Sequence, residues 1–90
     1  MSNLEYECEN LKQAYRYLRR VNLYDKGVID LYERKMKLLV EQNSDYLWQQ
    51  LIEIQDKYDN IEKKLPNASD EEFEEYIYLG DLLAVIKNVV

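Results

Sequence analysis

Histidine is absent from the 90-residue sequence, and cysteine and proline occur once each. Without histidine the chain lacks the side chain that most often moves protons or binds metal near neutral pH. One cysteine excludes an internal disulfide, and a free thiol fits a reducing interior, so a cytoplasmic protein is expected. Two glycines, Gly27 and Gly80, cannot build a glycine-rich phosphate loop. No apolar run approaches the ~20 residues of a membrane span. The opening Met1-Ser2-Asn3-Leu4-Glu5 carries acid where a secretory leader would carry Lys or Arg. With 47% hydrophobic and 33% charged residues, the composition is that of a folded chain. Residues 1–90 are read as one helical domain. A chain of this size hides only about 60–65% of the surface it exposes when unfolded, so its core is thin.

Hydrophobic spacing is helical throughout. Leu4, Cys8, Leu11, Tyr15 and Leu18 lie on one face, and Ser2 with Glu5 forms a capping-box pattern, so a helix is expected over about 3–22. Asp25 can cap a second helix over about 26–42, with Val28, Leu31, Tyr32, Met36, Leu39 and Val40 inward. A third, over about 45–65, carries the seam Leu47, Leu51, Ile54, Tyr58, Ile61 and Leu65, before Pro66 stops it. Glu53 with Lys57 and Asp59 with Lys63 are i,i+4 pairs on its outer side. Ser69 and Glu72 form a second capping box, opening a fourth helix over about 70–88. Its inward face is expected to be Phe73, Tyr76, Ile77, Leu83 and Val90, with a kink or restart near Gly80. The β-branched 82–90 segment keeps a short strand open. The fold class is therefore all-α, a small antiparallel bundle of four helices. Gln42-Asn43-Ser44-Asp45 favours a turn between the second and third helices. The same stretch has no Gly or Pro, which leaves open a single long helix in an intertwined dimer.

Catalytic and metal chemistry find little to work with. Di-iron bundles need Glu-x-x-His and zinc sites need Cys and His clusters, and neither is present. Glu53-Ile54-Gln55-Asp56 looks like half of the paired acidic motif of a helical nucleotide pyrophosphohydrolase, and no second half precedes it. Ser2, Ser44 and Ser69 are explained as helix caps, and Cys8 sits on an apolar stripe among acids, where a thiolate is disfavoured. No catalytic residue, metal ligand or cofactor is expected, and the chain is read as non-enzymatic.

The charge and the aromatic residues are what remain. The net charge of −6 is unevenly placed, +2 over residues 1–40 and −8 over residues 41–90. One reading is two antiparallel halves whose charges complement each other; the other is an acidic surface that steers a basic protein partner. Nine tyrosines stand against one Phe and one Trp. Tyr6, Tyr17, Tyr46, Tyr78 and Trp48 fall off the main stripes, where aromatic side chains favour contacts between proteins. The candidate partner-binding residues are Asp70, Glu71, Glu72, Glu74, Glu75, Trp48 and Tyr78. Arg16, Arg19 and Arg20 with Tyr15 and Tyr17 form the one basic–aromatic cluster, but direct nucleic-acid binding is disfavoured at this net charge.

Arg20-Val21-Asn22-Leu23-Tyr24-Asp25 resembles a short stretch of the helical epsilon antitoxin that inhibits zeta-type kinases; the likeness covers these six residues and assigns no role to any of them. Phage inhibitors and immunity proteins are similar in size and composition. The expected function is a helical protein-binding module, a small acidic inhibitor or regulator of bacterial or phage type. The alternatives are a homodimeric bundle completed by residues 82–90 and an acidic DNA mimic.

Overall fold

The computed structural model describes residues 2–42 and 45–90. Among them are four α-helices and no strand: α1 Asn3–Arg20, α2 Lys26–Glu41, α3 Tyr46–Glu62 and α4 Asp70–Val89. Each begins within a residue of its expected start. Ser2 and Ser69 both close full capping boxes, the hydroxyl accepting from the N–H three residues on while Glu5 or Glu72 accepts from the cap's own N–H. The Asp25 carboxylate accepts from Gly27 N–H, as expected of an N-cap. α1 ends sooner than expected because Asn22 takes up a left-handed conformation, φ 58°. Asn22 N–H then donates to Arg19 O and Leu23 N–H to Leu18 O, the double return of a Schellman stop.

α2 and α3 are two helices, not one long one. Asn43 and the proposed cap Ser44 lie outside the described residues. Asp45 precedes α3 without a side-chain cap bond. The molecule is two helical hairpins, α1–α2 and α3–α4, laid together so that α2 and α4 each touch all three other helices.

The core is formed by Cys8, Tyr15, Ile29, Tyr32, Met36, Leu39, Leu47, Ile54 and the 78–86 segment of α4. Burying a large apolar side chain contributes roughly 1.5–3 kcal/mol, so this set is what holds the four helices together. The seams of α1 and α3 hold as far as Tyr15 and Ile61, with Leu4, Leu11, Leu51, Tyr58 and Ile61 packing partly buried against that core. Leu18 lies outside it, and α3 ends at Glu62, so Leu65 falls in the following turn rather than on the helix. In α2, Leu31 and Val40 are exposed and Ile29 is buried instead. In α4 the expected inward face is displaced: Phe73 and Val90 are exposed, while Tyr78, Leu79, Leu82, Leu83, Val85 and Ile86 are buried. Apolar residues lie on most sides of α4, so periodicity alone does not select the face that is buried. Residues 82–89 are helical, not a strand, and Leu82, Leu83, Val85 and Ile86 are buried in the core.

α4 runs through Gly80 without a break. The glycine serves packing there: a Cβ would lie 3.3 Å from the Tyr58 ring. That ring stacks on Tyr76 with centroids 4.4 Å apart, and the hydroxyls form a relay from Tyr58 to Tyr76 (2.9 Å) and on to Glu62 (3.0 Å). Neither Glu53–Lys57 nor Asp59–Lys63 forms an ion pair; Asp59 instead accepts from Gln55 Nε2 at 2.9 Å.

Candidate functional site

α1 and α4 meet along a line where the arginines of one helix face the acids of the other. Arg16 Nη2 lies 2.7 Å from Glu75 Oε1 and its guanidinium carbon 4.8 Å from the centre of the Tyr78 ring. Asp81 receives the Tyr15 hydroxyl at 2.6 Å and Arg19 Nε at 3.5 Å. The uneven charge of the sequence is thus partly an internal complement, the first half neutralised by the second. Two of the three arginines offered as a nucleic-acid contact are committed to carboxylates, and Arg20 has none among the described residues.

The same two helices enclose a cleft of about 400 Å³. Arg16, Arg19, Arg20 and Asn22 line it from the α1 side, and Glu71, Glu74 and Glu75 from α4, with Ile77 and Tyr78 between. Behind this lining Arg16 Nε is buried, with no acceptor among the described residues. Leaving such a donor unpaired costs free energy.

The sequence-predicted contact residues divide into three groups. Glu72 is spent on structure: it closes the Ser69 box and takes the Lys64 ammonium at 2.8 Å, which holds its carboxyl below the usual range. Glu75 is spent on Arg16. Asp70, Glu71 and Glu74 have no partner among the described residues. Tyr78, expected at the surface, is only 4% exposed. It stacks on Tyr15 with centroids 6.0 Å apart, donates its hydroxyl to Lys12 O at 3.0 Å, and is pushed up to about 12 by burial. Tyr46 is likewise buried, its hydroxyl donated to Glu9. Trp48 is 53% exposed but sits elsewhere. The Tyr58–Tyr76 stack fixes the C-terminal half of α3 beside the start of α4, and Trp48 is ten residues back, about 15 Å along the helix.

Phe73 was assigned to the core and is instead 48% exposed. With Asp70, Glu74 and Ile77 it follows the i, i+3, i+4, i+7 spacing of one helix face, so the outer face of α4 is both acidic and aromatic. A Phe set inside a run of acids, Asp70 to Glu75, is the available signal, obscured because Phe ordinarily goes inside.

Cys8 is fully buried, and its thiol is pushed up to about 12 by burial and by Glu9, the opposite of an activated nucleophile. Among the described residues no group of three or more Cys, Asp or Glu is placed to hold a metal ion, and no helix is long and apolar enough to cross a membrane.

The fold defines the class, an all-α bundle of two packed hairpins, and nothing narrower. The chain matches no protein family, no curated protein and no solved structure.

Proposed function

We propose that the chain is a non-enzymatic protein-binding module, a small inhibitor or regulator, that takes a basic partner on the outer face of α4 and the adjoining cleft. The observation that carries this reading is the set of acids left over once internal pairing is complete. Asp70, Glu71 and Glu74 form no ion pair among the described residues, and Asp70 and Glu74 share a helix face with the exposed Phe73. A charged rim about an aromatic anchor is the usual layout of a contact between proteins. Long-range attraction by the free carboxylates speeds encounter, and the ring supplies buried area once contact is made. Glu72 and Glu75 belong to the framework of that face rather than to the contact.

The test begins with affinity capture from the native host and proceeds to rates with the captured protein. Glu71→Lys with Glu74→Lys should slow association at least tenfold and flatten its salt dependence, with helical content unchanged. Phe73→Ala should instead speed dissociation. An association rate and salt response that the double reversal leaves untouched would refute the assignment.

A further inference from the structure

The outward face of α1 differs from the rest of this surface. In a chain that is 33% charged, Asn3, Tyr6, Asn10, Gln13, Ala14, Tyr17 and Val21 run along one side of the helix without a charge among them. Tyr6 and Tyr17 are 61% and 66% exposed, and neither side chain has a partner within the described residues. The outer sides of the other helices carry Arg34 and Lys37, Glu53 and Asp56, and Asp70 and Glu74. Exposed tyrosine and amide side chains with no Lys, Glu or Asp between them are the composition of an interface.

The stripe is compatible with a second copy of itself. Tyr6, Asn10, Gln13 and Tyr17 are separated by four, three and four residues, a sequence that reads the same in both directions. Two antiparallel copies of α1 related by a two-fold axis midway between Asn10 and Gln13 would set each Tyr6 against a Tyr17 and each Asn10 against a Gln13. Contacts that pair residue i with j and j with i are what a two-fold interface requires. Charge agrees with that direction and not with the parallel one. Glu5, Glu7 and Glu9 lie in the first half of α1, and Arg20, which forms no ion pair among the described residues, lies at its far end. Antiparallel pairing lays each Arg20 beside the acidic end of the other helix and opposes the two helix dipoles. For a chain of net charge −6, an uncharged face is also where two copies meet with least repulsion.

We infer that the outer stripe of α1 is a homodimer interface, two copies packing antiparallel through Tyr6, Asn10, Gln13 and Tyr17. It lies apart from the α4 face and does not depend on the function proposed for it. A single helix pair is smaller than a standard interface, so association is expected across roughly 10 µM to 1 mM, where sedimentation equilibrium can follow it. Each substitution on the stripe acts twice, once in each copy. Tyr6→Lys and Tyr17→Glu should each weaken the dimer at least tenfold while the helical circular dichroism stays unchanged, both positions being exposed. The double variant should regain part of that loss, because in the antiparallel register each new ammonium faces a new carboxylate. A monomer throughout the range would overturn the inference. So would a wild-type dimer indifferent to both single substitutions, or a double variant no tighter than the weaker single one.

Discussion

Removing one oxygen atom from the core should make this protein more stable. Tyr32 is 1% exposed, and its hydroxyl is buried with no hydrogen-bond partner among the described residues. Its phenol is pushed above the ordinary tyrosine range chiefly by burial, with the neighbouring Cys8 next. A buried polar group without a partner costs ~1–3 kcal/mol. Tyr32→Phe removes that cost and keeps the ring, so a gain of about 1 kcal/mol is expected, worth roughly 4–8 °C in Tm for a domain of this size. Tyr15 supplies the control. It is equally buried, but its hydroxyl donates to Asp81 at 2.6 Å. Tyr15→Phe loses a hydrogen bond to a charged group and should cost about 1.5–3 kcal/mol. The same chemical change at the same depth is thus expected to have opposite signs. Urea unfolding followed by circular dichroism, with equal slopes across the three proteins, gives both values. If Tyr32→Phe were to lose 1 kcal/mol or more, the hydroxyl would have an acceptor in solution and the reasoning would fail.

Two further outcomes follow from the core. Cys8 is raised from 9.0 to about 12, so over that interval the folded thiol keeps a proton the unfolded chain would release. The native state then binds more protons, and stability should fall as pH rises from 9 toward 12, with Tyr15, Tyr32, Tyr46 and Tyr78 shifted in the same direction. A urea midpoint that holds steady or climbs over that range would contradict this. Gly80→Leu should destabilise by about 1–3 kcal/mol, because the side chain must enter the space of the Tyr58 ring. Thermal melting checks it, and an unchanged or raised Tm would show that the Tyr58–Tyr76 stack gives way freely.

The helices of this chain are legible because their ends are written locally. Ser2 with Glu5 and Ser69 with Glu72 name their caps within four residues, and 4,3 spacing fixes the buried sides of α1 and α3. α4 escapes the same method. Its buried residues Tyr78, Leu79, Leu82, Leu83, Val85 and Ile86 lie within an arc of about 160° at 3.6 residues per turn, but apolar residues such as Phe73 and Ile77 occupy other sides, so spacing alone selects the wrong face. That is why Tyr78 was expected outside and Phe73 inside. The acidic cluster was visible as composition, but its division into structural and unpaired carboxylates was not. Which acid meets Arg16 or Lys64 depends on how α1 and the 63–69 connection approach α4, and that is a tertiary fact.

The pairing of helices into two hairpins also bears on how the chain finds its fold. Each hairpin joins helices that are neighbours in sequence, so half the architecture can assemble across short connections before the rest is in place. The remaining step is to bring α2 onto α4, and the entropy of closing that loop grows only slowly with its length. Chains dominated by such local contacts fold in microseconds to milliseconds. Speed of folding is thus a property of this topology, set by the order of the helices along the chain more than by the strength of any one contact.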